Sequence, residues 1–319
     1  MAEILKADDA MERALALLED GQVVAIPTET VYGLAGDATR GDAVARIFEA
    51  KGRPRFNPLI AHVSGIVMAS GIAVFDPLSE KLAQAFWPGP LTLVLPLARG
   101  ATIHPLVTAG LDTVALRMPQ GFGAQLIARL GRPLAAPSAN SSGRITATTA
   151  EAVDADLGRK IPLIVDGGQT EVGLESTIIK VEGETLRLLR PGGIAAGVIE
   201  AIAGIPLLRG ASAGVEAPGM LASHYAPGAA VRIGATRVMP GEALLAFGAS
   251  RIADADKAVA TLNLSASGNL REAATNLFSF MQALDRSGAP TIAVEPIPET
   301  GLGEAINDRL RRAAAPRDS

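Results

Sequence analysis

Over the first 206 residues, short apolar runs alternate with stretches in which apolar side chains recur every three or four positions. The short runs predict buried β-strands, and the longer spacing predicts amphipathic helices. The predicted strands are 23–27, 59–63, 91–96, 113–116, 134–137, 163–166, 176–181 and 186–189. The predicted helices are 7–19, 41–51, 77–86, 122–130, 149–157 and 194–201. This alternation predicts an α/β domain with a twisted open sheet and flanking helices. Because several strands after residue 163 follow one another without a helix, we expect the sheet to be mixed.

Residues 207–228 interrupt this pattern. They are rich in Gly, Ala, Ser and Pro and show little periodicity, which is typical of a linker. The segment is long for a simple connection, so we expect it to fold over a functional site as a lid. Strand patterns return at 244–247, 258–262 and 291–294, and helical patterns at 270–286 and 304–314. The chain is therefore predicted to comprise a large domain (1–206), a linker (207–228) and a small, Rossmann-like α/β domain (229–319).

The composition narrows the chemistry open to the chain. Cysteine is absent, which excludes disulfides, thiolate metal sites and thiol nucleophiles, and there are only 3 histidines. The net charge is −4 and aromatic residues make up 3%, so no strongly basic, base-stacking surface for nucleic acid is expected. The longest uncharged run, residues 56–75, is broken by Gly, Pro and polar residues. We therefore expect a cytoplasmic protein without a membrane span.

The commonest nucleotide and hydrolase motifs are also missing from the sequence. It has no Walker-type phosphate loop, no G-x-G-x-x-G after a predicted strand, and no nucleophile elbow between a strand and a helix. Polar residues at strand ends and turns are therefore the remaining candidates for chemistry.

Three polar strings stand at such positions. The first, Pro-Thr-Glu-Thr-Val-Tyr-Gly-Leu at 27–34, directly follows a predicted strand, where open α/β sheets bind ligands. The second, residues 51–62, follows a predicted helix end, and its prolines restrict a loop that carries Lys51 and Arg53, which suits a polyphosphate. The third, residues 137–143, carries Ser138 and Asn140, and its amides and hydroxyls could bind an anion. Each string alone is also consistent with helix capping, a solvated helix end or a plain turn.

Taken together, in this order and spacing, the three strings resemble the YrdC family of L-threonylcarbamoyladenylate synthases. Further matching strings stand at 86–92, 114–119, 175–178 and 190–192. The strings at 218–220, 224–227, 270–274 and 305–310 are similar to the longer, two-domain branch of that family, which has an extra C-terminal domain. The resemblance covers nearly the whole chain.

The resemblance implies an enzyme, a nucleotidyltransferase that condenses L-threonine, bicarbonate or CO2, and ATP into threonylcarbamoyl-AMP and pyrophosphate. Other proteins then transfer the threonylcarbamoyl group to the adenosine beside the anticodon of tRNA, so tRNA would be an indirect partner. The substrate carbamate supplies the nucleophile, and the protein needs only positioning and charge neutralisation. No metal site of the protein's own is expected; Mg²⁺ is expected to arrive with ATP, bound by phosphates and water.

The resemblance also assigns residues to each substrate. Lys51, Arg53, Ser138 and Asn140 would be catalytic. Threonine would be held by Thr30, His62, Arg117, Ser138 and Ser176. ATP would be surrounded by Lys51, Arg53, Asn57, Thr113, Asn140, Thr148 and Arg190. Arg117 suits the threonine carboxylate because a guanidinium fork matches that geometry. From the linker, Tyr225 is expected to contact ATP, and His104 is expected to be a surface or structural histidine.

Two other functions stay open at this point. The chain could be an RNA-binding or regulatory module of the same fold, which would bind a duplex in a salt-dependent way without ATP turnover. It could also be a paralogue that acts on another carbamate or nucleotide. The complete Ser138 and Asn140 pair and the second domain favour the synthase.

Overall fold

The computed structural model describes residues 1–210, 214–220 and 223–316. The strands are β1 (Glu3–Lys6), β2 (Val24–Ile26), β3 (Gly33–Asp37), β4 (Ile60–His62), β5 (Leu91–Pro96), β6 (Thr113–Arg117), β7 (Leu134–Ala135), β8 (Leu163–Asp166), β9 (Thr177–Glu182), β10 (Thr185–Arg190), β11 (Leu207–Leu208), β12 (Ala230–Arg232), β13 (Ala243–Ala246), β14 (Thr261–Asn263) and β15 (Thr291–Val294). The helices are α1 (Ala7–Glu19), α2 (Gly41–Lys51), α3 (Ile66–Ser70), α4 (Pro77–Phe86), α5 (Pro105–Thr108), α6 (Phe122–Leu130), α7 (Ala150–Leu157), α8 (Ala196–Ala203), α9 (Leu270–Asp285) and α10 (Gly303–Ala314), with a 3₁₀ turn at Ala255–Lys257.

Two sheets organise the described residues. The large sheet has the order β1-β8-β2-β3-β7-β4-β6-β5-β9-β10-β11. It combines parallel pairs such as β4 with β6 and antiparallel pairs such as β5 with β6, which confirms the predicted mixed sheet. The small sheet, β12-β15-β13-β14, is parallel throughout, as expected for a Rossmann-like domain. Among the described residues, no helix has both the length and the apolar character to cross a bilayer.

Strands β4 and β6 lie side by side and carry the centre of the candidate site. Their parallel register pairs Ile60 with Ala115 and His62 with Arg117. Because side chains alternate between the two faces of a strand, His62 and Arg117 project from the same face. The same alternation puts Thr113 on that face, at the opposite end of β6. One face of these strands therefore presents the polar side chains of the site.

The helix boundaries follow from local sequence. Helix α4 begins at Pro77, and its N-cap Asp76 accepts a hydrogen bond from the backbone N–H of Ser79 at 2.7 Å in a reciprocal capping box. Helix α2 ends at Lys51 because Gly52 adopts the left-handed conformation, which a glycine tolerates. That turn sends the chain directly into the loop that carries Arg53.

Most predicted elements are confirmed to within one or two residues at each end, whereas the predicted strand at 258–262 is displaced to Thr261–Asn263. The sequence pattern missed β1, β3, β11, β12, α3 and α5. Strand β3 contains two glycines, which lower strand propensity, yet all five of its residues are buried. Strands β11 and β12 and helices α3 and α5 have five residues or fewer, too short for a periodic signal. Since β11 pairs with β10, the large sheet continues two residues beyond the predicted boundary at 206.

The two domains pack directly against each other. Val31, Leu174 and Tyr225 join a hydrophobic cluster whose other members, such as Phe278, belong mainly to the small domain. Gly173 has a φ of +73°, and a Cβ there would lie 2.4 Å from the Cα of Thr275 on α9. The backbones are thus too close for any side chain at this position, and the domains form a continuous interface.

Candidate active site

The candidate site is a cavity of about 40 Å³ on the polar face of β4 and β6. The large domain supplies residues from the three predicted strings, and the linker supplies the cover. The lining residues are Val31, Arg53, Ile60, His62, Arg117, Ala136, Pro137, Ser138, Glu175, Ser176, Arg190, Pro218, Gly219, His224 and Tyr225. The structure therefore brings together residues that are more than 170 positions apart in sequence.

Lys51 holds the loop that contains Ser138 and Asn140 in place through hydrogen bonds to its backbone. Its ammonium donates to the carbonyl oxygen of Ser138 at 2.6 Å and to that of Asn140, and its own carbonyl accepts the Ser142 N–H at 2.7 Å. The side chain is buried, and desolvation, with the nearby Arg53 charge second, lowers the pKa of Lys51 to about 7. Lys51 is not among the residues that line the cavity. In this structure its contacts are thus those of a support for this loop.

Arg53, which lines the cavity, and Asn57 both belong to the second predicted string. The guanidinium of Arg53 donates to the carbonyl oxygens of Asn57 at 3.2 Å and of Pro58 at 2.8 Å. Burial, with the Arg190 charge second, lowers the pKa of Arg53 to about 10, so the group stays protonated at neutral pH. The amide of Asn57 is fully buried, and neither of its polar atoms has a protein partner in the described residues. A polar ligand would satisfy both groups.

Asn140 and Thr148 present further unpartnered oxygens. The Asn140 amide nitrogen donates to the carbonyl oxygens of Ser141 at 2.9 Å and of Arg144 at 3.0 Å, but its Oδ1 has no partner in the described residues. Thr148 is fully buried, and its hydroxyl also lacks a partner in that part of the chain. Buried oxygens of this kind are costly unless something binds them.

His62 and Arg117 lie side by side, as the β4–β6 register requires. Both ring nitrogens of His62 lack a partner among the described residues, and burial, with Arg117 second, holds the pKa of His62 well below its usual range. The imidazole is therefore neutral and can donate and accept one hydrogen bond each. Arg117, expected to bind the threonine carboxylate, donates in this structure from Nη2 to Glu29 at 2.6 Å and from Nε to the Gly89 carbonyl at 3.2 Å.

Hydroxyl groups predicted for threonine are already engaged with other hydroxyls. The Thr30 hydroxyl lies 2.9 Å from that of Thr28, and the Ser176 hydroxyl lies 2.7 Å from that of Thr92. Ser176 also accepts from Nη2 of Arg190 at 3.1 Å, so it lies between the two predicted subsites. Arg190 is buried, which lowers its pKa, and its other contacts are to the carbonyl oxygens of Ser176 and Pro218.

The linker closes the cavity from above. Ala217 is fully buried against Ile60, Ala115 and Ile178 of the sheet face, and Met220 packs on the same cluster. Gly219 has a φ of +83°, and a Cβ there would lie 2.8 Å from Cδ of Arg190 and 2.9 Å from the Tyr225 hydroxyl. The linker backbone therefore approaches the Arg190 side chain directly. Residues 211–213 and 221–222 of the predicted linker lie outside the described residues.

Tyr225 contacts both domains. Its ring stacks on Phe278 with a centroid distance of 5.6 Å, and the Arg309 guanidinium lies 5.0 Å from the ring centroid. The residue is 1% exposed and also lines the cavity. This position is thus compatible with the expected lid and also with a passive linker whose Tyr225 packs between the domains.

Sequence reasoning missed the roles of Glu175 and Arg309. Arg309 on α10 is completely buried and donates to Glu175 Oε2 at 2.9 Å and to the Pro191 carbonyl at 2.9 Å. Glu175 lines the cavity, and its Oε1 accepts the Thr146 hydroxyl at 2.6 Å. Despite burial, Arg309 first and Arg190 second lower the pKa of Glu175 to about 2. Both residues stand in strings that matched the family, but only the fold shows that they meet.

Two other residues singled out in the sequence, Thr113 and His104, lie outside the cavity. Thr113 opens β6 and Arg117 ends it, so four steps of a strand separate them by about 13 Å. Thr113 is therefore not gathered into the cavity, although it lies on the same face. His104 is confirmed as structural, because it caps α5 by accepting the Leu106 N–H at 3.3 Å.

Comparison with known protein families gives two adjoining matches. The family described as telomere recombination (Sua5, YciO and YrdC) matches residues 16–192, and the family of threonylcarbamoyl-AMP synthase C-terminal domains matches residues 194–315. The chain belongs to the two-domain Sua5 family. Threonylcarbamoyl-AMP synthase of Pyrococcus abyssi is 40% identical over 95% of this chain and 94% of its own length. The Bacillus subtilis protein of the same name is 40% identical over 99% of this chain and 96% of its own.

The overall structure agrees with this Sua5 membership. The crystal structure of P. abyssi Sua5 complexed with L-threonine superposes with a TM-score of 0.89, at 38% identity and over 98% of both chains. Escherichia coli YciO shares 20% identity and covers 60% of this chain with a TM-score of 0.53, which shows the large-domain fold alone. The recognised family and the predicted fold class, a large mixed sheet with a second, parallel α/β sheet, are thus confirmed.

Proposed function

We propose that the chain is a threonylcarbamoyl-AMP synthase, which condenses L-threonine, bicarbonate or CO2, and ATP. The observation that carries this proposal is that, within the described residues, buried polar atoms without protein partners occur in the cavity and in the predicted strings that supply its lining. His62 and His224 line the cavity, Asn57 and Asn140 stand in the second and third strings, and Thr148 follows the third. Native proteins rarely leave such atoms unpaired unless a ligand binds them. Relatives of the same two-domain length carry this name, and one was crystallised with L-threonine.

In this proposal the threonine ammonium first loses a proton to water or bicarbonate, and the free amine then attacks CO2. Loss of a second proton from the nitrogen to water or bicarbonate leaves the carbamate. A carbamate oxygen then attacks the α-phosphorus of ATP, a P–O bond forms, and pyrophosphate leaves with the bonding electron pair. The protein supplies no covalent nucleophile. Its contribution is to hold the carbamate and the α-phosphate in line and to stabilise the charge on the phosphates.

The charges around the cavity support an assignment of substrates to its two sides. Arg53 and Arg190 make hydrogen bonds to carbonyl oxygens, and neither has a carboxylate within ion-pair distance among the described residues. Their charges are available to the ATP phosphates. His62 and Arg117 would face threonine, with the neutral imidazole close to its amino group. Lys51 would contribute by holding the Ser138–Asn140 loop.

Mg²⁺ is proposed to enter with ATP. Among the described residues, no three His, Cys, Asp or Glu side chains gather into a metal site. The unpartnered Oδ1 of Asn140 and the Thr148 hydroxyl are neutral oxygens that suit a hard cation carried by phosphates and water. Bound in this way, Mg²⁺ would neutralise phosphate charge.

We also propose that residues 207–228 act as a lid over the bound nucleotide. A cavity of about 40 Å³ has room for water but is far below the roughly 300 Å³ or more of a typical ligand pocket. The linker occupies apolar sheet surface between Thr113 and Arg117, along which a bound nucleotide could extend. ATP therefore requires the linker to move, after which Tyr225 could close against the nucleotide and exclude water. The product would pass to separate proteins that modify tRNA, with no direct contact to tRNA required.

One assay tests the proposed function. Pure protein is incubated with ATP, Mg²⁺, labelled bicarbonate and single amino acids, and pyrophosphate and an acid-labile labelled adenylate are measured. Threonine-dependent formation of both products supports the synthase. Hydrolysis of ATP without threonine would instead indicate a paralogue with another substrate, and duplex binding without turnover would indicate an RNA-binding module.

A further inference from the structure

The arginines that line the candidate active site differ in how their charge is compensated. Among the described residues, Arg53 and Arg190 bond only to neutral groups, namely carbonyl oxygens and, for Arg190, the Ser176 hydroxyl. Arg117 alone of these three forms an ion pair there, with Nη2 at 2.6 Å from Oε1 of Glu29. The side chains of this pair are 5% and 7% exposed. One side of the cavity thus carries arginines without a direct ion pair, whereas the other carries a neutralised pair.

Glu29 is itself held firmly in place. Its second oxygen, Oε2, accepts the backbone N–H of Gln120 at 3.1 Å, in the loop that follows β6. Arg117 also donates from Nε to the Gly89 carbonyl at 3.2 Å. Its remaining nitrogen, Nη1, makes no hydrogen bond to the described part of the chain. The Glu29 carboxylate therefore occupies one arm of the guanidinium and leaves the other arm available at the cavity.

This division of charge matches the net charges of the two substrates. ATP brings several negative charges, whereas threonine is a zwitterion with no net charge. A buried guanidinium without a partner would attract any small anion, because an unpaired buried charge is costly. The proposed reaction consumes one such anion, bicarbonate, and releases another, pyrophosphate. The amino-acid side of the cavity is therefore the side that must reject inorganic anions.

We propose that Glu29 is a selectivity residue, which cancels the charge of Arg117 and so keeps inorganic anions out of the amino-acid subsite. One arm of Arg117 remains for the threonine carboxylate. Glu29 acts through Arg117 and is a positioning residue, not a catalytic one. This inference rests on the proposed function, because it takes the ligand of Arg117 to be a zwitterionic amino acid.

Glu29 also lines a second cavity of about 350 Å³, together with Gln120 and Glu171. This cavity gives small anions in solution a route to Glu29. Glu171 is exposed and has no ion pair among the described residues, so it offers a control with the same change in net charge.

The test compares Glu29→Gln with Glu171→Gln in the full-length protein, using inorganic phosphate as the probe. The amide introduced by Glu29→Gln keeps the shape of the side chain and can still accept the Gln120 N–H, but it removes the negative charge. We expect the inhibition constant of phosphate to be about tenfold or more lower for Glu29→Gln than for the wild type. A charge-assisted hydrogen bond between Arg117 and phosphate accounts for a change of that size. Inhibition should be competitive with threonine and not with ATP. Phosphate should also raise the melting temperature of Glu29→Gln, while Glu171→Gln behaves like the wild type.

Each other outcome overturns the proposal. Unchanged phosphate sensitivity of Glu29→Gln, or an equal change in Glu171→Gln, would show that Glu29 does not exclude anions. If the KM values of Glu29→Gln for threonine and ATP rise equally and phosphate does not compete with threonine, the role of Glu29 is purely structural. If Glu29→Gln does not fold, Glu29→Asp replaces it in the test, because Asp keeps the negative charge on a shorter side chain. Phosphate should then inhibit Glu29→Asp more strongly than the wild type. If phosphate inhibits Glu29→Asp and the wild type equally, the proposal is overturned. The melting-temperature measurement requires no catalytic turnover. It therefore tests anion exclusion by Glu29 even if the protein does not have the proposed activity.

Discussion

The buried ion pair between Arg309 and Glu175 joins the small domain to the wall of the candidate active site. We predict that Arg309→Met destabilises the protein by about 3–5 kcal/mol at pH 7, because it leaves a buried carboxylate without its cation. The pKa of Glu175 gives a consistent magnitude. A shift from its ordinary 4.5 to about 2, which Arg309 causes together with Arg190 and the Thr146 hydroxyl, corresponds to about 3 kcal/mol of stabilisation in total.

The dependence on pH follows from the direction of that shift. Because the folded-state pKa of Glu175 lies below its unfolded value, the stabilisation is complete above about pH 4.5 and is lost as the pH falls toward 2. The difference between the wild type and Arg309→Met should therefore be full at pH 7 and narrow below pH 4.5. Activity should fall as well, since Arg309 also lies against the Tyr225 ring.

Calorimetric unfolding at pH 7 and about pH 3.5, between the two pKa values, measures this effect. Arg311→Met is the matched control, because Arg311 lies on the same helix in an exposed pair with Glu299 and should cost less than about 1 kcal/mol. In a double-mutant cycle, Arg309→Met combined with Glu175→Gln should be less destabilised than the sum of the single variants. Additive losses below about 1 kcal/mol each would refute the reasoning, because they would show that the two charges are not coupled.

Three further predictions address the cavity. Arg53→Ala should reduce kcat/KM for ATP about ten- to a hundredfold, from loss of a charge-assisted phosphate contact; unchanged ATP kinetics in a folded variant would contradict the assignment. Lys51→Met should raise the KM values for ATP and threonine together, because it releases the Ser138–Asn140 loop that both would share, and a change confined to ATP would show direct phosphate contact instead. Limited proteolysis within residues 207–228 should be slower with threonine and ATP together than without them. Equal cleavage with and without these ligands would show that the linker is a passive tether.

The apolar pattern along the chain was sufficient to predict the two α/β domains, the mixed sheet and most element positions. These features depend on local periodicity, which the sequence displays directly. The short strands β1 and β11 escaped prediction because their conformation is set by pairing with β8 and β10 and not by their own residues. Likewise, the resemblance placed Lys51, Arg53, Ser138 and Asn140 in one site, and the fold does bring their loops together.

The tertiary structure alone decided how those residues are paired. The resemblance assigns Arg117 to the threonine carboxylate, and only the fold shows that the loop after β2 also places Glu29 against it at 2.6 Å. The resemblance assigns Lys51 to the catalytic and ATP-binding residues, and only the fold shows that the end of α2 directs its ammonium at two carbonyl oxygens of a distant loop. Glu175 and Arg309 lie 134 residues apart and meet only because the domains dock. The sequence alone determines the residue types and the local secondary-structure pattern. The partner of a buried charge depends instead on packing between segments that are distant in sequence and meet only in the folded protein.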